Sequence, residues 1–391
     1  MCSDSEKNMS VFADQNHAPS LTCVRLETKQ NNLQEIEEER TIMILEETLE
    51  KIKKPSQEAM ERCRQHWDSI AKPLHSLGKL EDALVRIAGM TGNERIHLDK
   101  KALVVMCADN GVVEEGVTQS GQEVTAIVSE NMLSGKATSS IMCRSTGADI
   151  FPVDIGIARD TSLRNEKVAY GTKNMAKGPA MTRQEAVQAI ETGIRIVREL
   201  KEKGYQILAT GEMGIGNTTT SSALAAVFLG IPVEAVTGRG AGLSTSGLTK
   251  KISAIHQAIQ VNQPDPADGI DVLAKVGGFD LAGMAGLFLG GAAEGIPVVI
   301  DGIISEAAAL AAYVICPNCV NYMIASHLSK EPAAQMILSK LGLDAMLDCE
   351  MHLGEGTGAL TLFPILDLAC VVYNSMSTFE EASIEQYEHL V

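Results

Sequence analysis

The sequence predicts an α/β fold in which a largely parallel sheet is covered by helices. Two observations carry that prediction. Short apolar runs rich in branched residues, Ala102–Ala108, Ile150–Ile155, Gln206–Thr210 and Pro297–Ile300, alternate with segments of helical periodicity, the pattern of buried parallel strands joined by crossover helices. The chain also runs from Tyr205-Gln206-Ile207-Leu208-Ala209-Thr210 through Gly211-Glu212-Met213-Gly214-Ile215-Gly216-Asn217-Thr218-Thr219-Thr220 into the small residues Ser221-Ser222-Ala223-Leu224. A strand, a glycine-rich turn and a helix start aim free backbone N–H groups at an anion, usually a phosphate. The sheet is therefore expected to be Rossmann-like, in a large α/β nucleotide-binding domain of residues 100–310.

Residues 1–35 are polar and without period, and are expected to form a flexible extension. From Glu35 a helix is expected with Ile42, Leu45, Leu49 and Ile52 on one stripe, stopped by Lys53-Lys54-Pro55. A second stripe, Met60, Cys63, Trp67 and Ile70, ends before Lys72-Pro73. Neither lasts several heptads, so two packed amphipathic helices are expected rather than a coiled coil. They begin a smaller helical domain assembled from residues 40–98 and 311–391.

After Asp301-Gly302, residues Ser305–Ala312 predict a helix of small residues, Glu331–Leu341 another and Leu360–Tyr373 a last apolar one. Several strand ends are polar and glycine-bearing: Asp109-Asn110-Gly111, Asp154-Ile155-Gly156, Gly211-Glu212 and Asp301-Gly302. In open parallel sheets the carboxyl ends of strands line the ligand crevice, so these ends should converge.

Composition narrows the function. The 391 residues are 45% hydrophobic with a formal charge of −17, which argues against a general affinity for nucleic acid or anionic lipid. Only 4% are aromatic, leaving few stacking platforms for single strands. The start Met1-Cys2-Ser3-Asp4-Ser5-Glu6-Lys7 has no secretory layout and no apolar run reaches membrane-spanning length, so a cytoplasmic protein is expected. Nine scattered cysteines fit reduced thiols. Cys316-Pro317-Asn318-Cys319 has no second pair to complete a metal site, and His327 and His352 have no third ligand at a recognisable spacing, so no metal is expected.

The glycine loop itself is discriminating. Gly216 is followed by Asn217-Thr218 and not by Lys-Ser/Thr, which disfavours a kinase or ATPase, and the third glycine of a dinucleotide fingerprint is missing. Glu212 sits where a pure phosphate cradle would not want a second anion. The pairing suggests a phosphorylated sugar, its phosphate on the glycines and the carboxylate on ribose hydroxyls or a cationic ring. Leu353-Gly354-Glu355-Gly356-Thr357-Gly358 breaks the pattern ahead of the last helix; spacing alone leaves Glu355 as either a turn residue or a placed base.

These residues, with Ser76-Leu77-Gly78-Lys79-Leu80-Glu81, Glu123-Val124-Thr125, Gly238-Arg239-Gly240 and Ser326-His327, resemble the nicotinate-nucleotide–dimethylbenzimidazole phosphoribosyltransferases from about Lys72 to Phe379. The resemblance implies transfer of 5-phosphoribose from nicotinate mononucleotide to a ring nitrogen of an aromatic base, without a cofactor. It implies Glu355 as general base, Glu212 beside the ribose, and Gly214, Gly216 and Asn217 in the phosphate or nucleotide loop. Lys251 is the implied phosphate counter-charge, with Lys250 as its rival, and Ser329 a phosphate or nicotinate contact. Further substrate contacts are assigned to Met213, Thr218, Asp301, Thr118 and Gly354. Relatives are usually homodimers with the active site near the subunit contact, and some pair unlike subunits that activate phenolics. The rival reading is accordingly a subunit that binds or scaffolds an active partner.

The chain departs from the family pattern chiefly where the acceptor base is expected. The usual Lys-Pro-Pro-Gly-Ser-Leu-Gly is Lys72-Pro73-Leu74-His75-Ser76-Leu77-Gly78, and Ala-Asp-His-Gly is Ala108-Asp109-Asn110-Gly111. Gly-Val-Ser with an aromatic-Pro pair is Gly116-Val117-Thr118-Gln119-Ser120-Gly121, and a glutamine is replaced by Ile127. Losing an aromatic wall and a polar partner is expected to change which base fits, with purines and phenols as candidates.

Overall fold

A computed structural model describes residues 44–387, gathered in one compact unit. The N-terminal extension and the start of the first expected helix lie outside the described residues; residues 44–51 are helical, with Leu45 and Ile52 buried. The sheet has six strands: β1 (Lys101–Ala108), β2 (Ala148–Gly156), β3 (Arg164–Asn165), β4 (Ile207–Met213), β5 (Val298–Ile300) and β6 (Met323–Ala325). Their order is β3-β2-β1-β4-β5-β6 and every pairing is parallel. The order reverses between β1 and β4, the switch point at which ligands bind in doubly wound sheets.

Ahead of the sheet lie α1 (Gln57–Ser69) and α2 (Lys79–Thr91). Between β1 and β2 come α3 (Glu123–Leu133) and α4 (Thr138–Thr146), and α5 (Arg183–Glu202) leads into β4. Then α6 (Asn217–Leu229), α7 (Val233–Val236), α8 (Thr245–Asn262), α9 (Gly269–Val276) and α10 (Phe279–Glu294) precede β5. The chain continues through α11 (Ile303–Ile315), β6, α12 (Ala334–Leu341) and α13 (Thr357–Ser375).

Every residue of β1 is buried, as an unbroken apolar run at the centre of a covered parallel sheet must be. The four expected strands are present. The two others carried no signal: β3 is two exposed residues on the sheet edge, and β6 is three residues behind an alanine-rich helix. Helices α5 and α10 pack on each other, with α10 on β1, while α13 packs on β4, α2 and α4. Trp67 of α1 is buried edge-on to Tyr373 of α13, ring centroids 4.9 Å apart, so the two ends of the described chain share one core.

One expectation changes. No apolar run of membrane-spanning length was anticipated, yet α13 has 19 residues and is apolar enough to qualify by length and composition. Its apolar side chains serve the core instead: 56% of the qualifying window is buried, including Leu360, Phe363 and Leu366.

Candidate active site

The carboxyl ends of β4 and β5 open into a cavity of about 840 Å³. Glu212, Met213, Gly214, Gly216, Asn217, Thr218, Asp301, Ser329, Thr118, Gly354 and Glu355 all line it. Of the sequence candidates Lys251 and its rival Lys250 do not. The strand ends at Asp109 and Asp154, expected to converge with the others, are buried beside the cavity and do not line it.

One end of the cavity is the glycine loop. Gly216 turns the chain at φ +97° and caps α6; Asn217 N–H donates to the Gly214 carbonyl at 3.1 Å and Thr219 N–H to the Gly216 carbonyl at 2.9 Å, and the helix start carries the positive end of the dipole. Below the loop lies Glu212, nearly excluded from water. Burial, helped by the neighbouring Asp280 and Asp301, pushes its carboxyl up to about 8. Asn217 Nδ2 donates both to Glu212 Oε2 and, at 3.0 Å, to Asp280 Oδ2. Asp280, likewise buried, is pushed up to about 6. No cation stands beside it among the described residues, so burial disfavours the carboxylate, and a cationic ring brought against it would favour that form.

Opposite stands the loop carrying Glu355. Two glycines allow it to press against β4. A Cβ on Gly211 would come within 3.0 Å of the Glu355 carbonyl and the Gly356 nitrogen. Gly354 has φ +87°, and a Cβ there would overlap the Glu212 carboxylate. Glu355 adopts φ +57°, a left-handed conformation that costs a non-glycine residue about 1–2 kcal/mol. Its backbone N–H bonds the Glu212 carboxylate. Its own carboxylate Oε2 accepts from Ser139 N–H at 3.2 Å and Ser139 Oγ–H at 3.0 Å.

Asp301, expected among the substrate ligands, fastens that loop as well. Its Oδ1 accepts from the N–H groups of Gly358 (2.7 Å) and Ala359 (3.0 Å), and its Oδ2 from Gly356 N–H (3.2 Å). It thereby satisfies the first-turn amides of α13 and fixes where Glu355 emerges. His327 stands next to it, its Nδ1 paired with Ser326 Oγ at 3.0 Å.

Lys251 lies behind the cavity. It is fully buried on α8, donates to Thr218 Oγ1 at 2.9 Å and to Gly238 carbonyl at 3.1 Å, and burial lowers it to about 8. It braces the loop through Thr218. Lys250 is exposed and outside the lining. Among the described residues the lysine or arginine that does line the cavity is Arg239, whose guanidinium donates to the Leu243 carbonyl at 2.7 Å. Sequence reasoning quoted Arg239 within its motif without a role, and missed Ser139; a buried serine 216 residues from its partner leaves no pattern in sequence.

The remaining wall is apolar, with Val117, Val128 and Met142 beside Thr118, whose hydroxyl donates to Ser120 carbonyl at 2.8 Å. Of the departures from the family pattern, the Thr118–Ser120 stretch lines the cavity. Ile127 does not; it is 53% exposed on α3. Asn110 is fully buried and does not line it either. Cys316 and Cys319 are separate thiols at a turn remote from this lining.

The chain is similar to known proteins over most of its length. Residues 52–384 match a family model described as "Phosphoribosyltransferase". A nicotinate-nucleotide–dimethylbenzimidazole phosphoribosyltransferase of Ruminiclostridium cellulolyticum is 50% identical over 351 residues, 89% of this chain and 100% of the relative. One from Acetivibrio thermocellus is 50% identical over 348 residues, 88% of this chain and 99% of the relative. Among solved structures, CobT from Thermus thermophilus superimposes with a TM-score of 0.80 at 38% identity, covering 84% of this chain and all of that one.

Proposed function

The chain belongs to the nicotinate-nucleotide–dimethylbenzimidazole phosphoribosyltransferase family, and on that footing we propose that it moves 5-phosphoribose from nicotinate mononucleotide to 5,6-dimethylbenzimidazole or a related base, giving α-ribazole 5′-phosphate for cobamide nucleotide-loop assembly. The observation that carries the residue roles is the meeting of two carboxyl groups, Glu212 and Glu355, in one cavity between a helix N-terminus and an apolar wall.

The phosphate sits on the Gly214–Thr218 loop, and the apolar wall takes the acceptor ring. The acceptor's unprotonated ring nitrogen attacks C1′ as the bond to nicotinate breaks, its electron pair staying on the nicotinate nitrogen and discharging the pyridinium. The new riboside would be a cationic azolium, so its N–H proton goes to the Glu355 carboxylate. Glu212 serves first the cationic ring and then the oxocarbenium character that develops on the ribose. Held phosphate and walled base keep the reacting atoms in line. Lys251 supports the loop through Thr218, and Arg239 is the lining cation available to a phosphate or nicotinate carboxylate.

The rival reading, a non-catalytic partner subunit, is not favoured: both carboxylates are present and share the cavity. Free thiols at all seven described cysteines support a reducing, cytoplasmic setting. A homodimer remains part of the proposed reading. The test is a product assay with nicotinate mononucleotide and competing benzimidazoles, purines and phenols. Riboside phosphate is expected from dimethylbenzimidazole, with a second base also used because Thr118–Ser120 alters the wall. Exclusive use of dimethylbenzimidazole would end the altered-acceptor idea, and no product from any base would end the transferase reading.

A further inference from the structure

Helix α4 begins without a cap of its own. Its N-cap residue is Ala137, which offers no side-chain acceptor, although such a position ordinarily takes Ser, Thr, Asp or Asn. The acceptor that reaches the first turn comes from Glu355, which is 216 residues away and takes both the amide and the hydroxyl of Ser139 on one carboxylate oxygen. Ser139 is fully buried, and its hydroxyl makes no other bond among the described residues. The same helix and its neighbour carry Thr138, Met142 and Val128 of the acceptor wall.

We propose that Ser139 is the positioning residue for the base: its two donors fix Glu355 Oε2 at the N-terminus of α4, so that Oε1 meets the acceptor's ring N–H at a set distance from the wall that holds the ring. The inference rests on Glu355 acting as the base. The amide and the hydroxyl both converge on one carboxylate oxygen, which fixes its direction as well as its place. The side chain needs this restraint because it springs from a left-handed residue in a glycine-flanked loop. Coupling the base to the wall also gives discrimination, since a ring that displaces α4 displaces Oε1 with it. Other charged groups on the cavity are Glu212 from β4, Asp301 after β5, His327 after β6, Glu331 ahead of α12, Glu350 and His352 before the loop, and Arg239 ahead of α8. The lining residues of α3 and α4 include no charged one.

The experiment is kcat, KM and melting temperature for the full chain and five variants. Ser139→Ala keeps the amide and loses the hydroxyl; kcat is expected to fall about ten-fold, with KM for nicotinate mononucleotide little changed. Ser139→Thr restores the hydroxyl and is expected to recover most of the rate. Ser140→Ala removes the adjacent buried hydroxyl, which donates to Met132 carbonyl at 2.8 Å; it should lower the melting temperature with kcat little changed. Ala137→Ser supplies α4 with a competing cap, so it should raise the melting temperature while lowering kcat. If Ser139→Ala does not fold, the opposed signs in Ala137→Ser still decide. Unchanged kcat in Ser139→Ala, or equal falls in kcat in Ser139→Ala and Ser140→Ala, overturns the inference. Wild-type activity in Glu355→Gln would instead overturn the base assignment on which it rests.

Discussion

At the scale of single residues, the site works by placing two carboxyl groups in unlike surroundings. Glu355 is partly exposed and held by two donors, whereas Glu212 is buried among further acids and pushed up to about 8. The first is suited to taking a proton and the second to answering a cation. Glu355→Gln is expected to lower kcat by about 10²–10⁴-fold, with KM for nicotinate mononucleotide little changed, by steady-state assay. Glu212 makes a calorimetric prediction: binding of nicotinate mononucleotide near pH 7 should release a proton as the cationic ring restores the carboxylate. Glu212→Gln should release correspondingly fewer, measured in two buffers of different ionisation enthalpy. Linkage has a definite sign here. Because the folded-state value lies above the ordinary 4.5, the stability tied to the protonated acid is complete below pH 4.5 and lost as pH rises through about 8. Glu212→Gln should therefore raise the melting temperature, relative to the native protein, more at pH 8.5 than at pH 5.5.

At the scale of elements, the recurring device is a helix start satisfied from elsewhere in the chain. Asp301 at the end of β5 takes three amides around the start of α13, and Glu355 takes one at α4. The first fastens the Glu355 loop to the sheet at β5 and the second fastens the Glu355 carboxylate to α4. Asp301→Asn leaves a single acceptor oxygen for those three donors, so a loss of about 1–3 kcal/mol in unfolding free energy is expected by denaturant titration, with kcat falling as well. Gly354→Ala should lower kcat far more than stability, because its Cβ would meet the Glu212 carboxylate; equal activity in that variant would contradict the packing described. These elements explain which parts of the site could be read in sequence. The strand-loop-helix at Gly211–Thr220 is contiguous, so the phosphate role proposed for it could be argued from local pattern alone. Glu355 could be noticed for its glycines, but the choice between turn residue and base depended on what faces it. Asp301 and Lys251 were legible as polar residues near a site, not as the helix anchor and loop brace that burial and partners make them. Lys72 and Glu81, conspicuous in the resemblance, form a buried ion pair at 2.7 Å outside the cavity lining and belong to the scaffold.

At the scale of the whole molecule, the strand order concentrates function at one place. A sheet ordered β3-β2-β1-β4-β5-β6 turns its direction of winding between β1 and β4, and the cavity opens next to that point, at the carboxyl ends of β4 and β5. The crossover helices on either side supply the phosphate end and the acceptor wall. Alternation of apolar runs with helical patterns was enough to anticipate this class, because central strands such as β1 are uniformly buried. The edges were not anticipated, since β3 and β6 are short and held by pairing with longer neighbours rather than by an apolar pattern of their own. Both carboxylates come from opposite sides of the crevice, so the central claim concerns where one substrate lies between them. A crystal structure of Glu355→Gln with nicotinate mononucleotide tests it most directly. The phosphate is expected on the Gly214–Thr218 loop, C1′ between Glu212 and residue 355, and the open face of the ribose toward Val128 and Met142. A phosphate bound away from that loop, or a ribose out of reach of either residue, would contradict it.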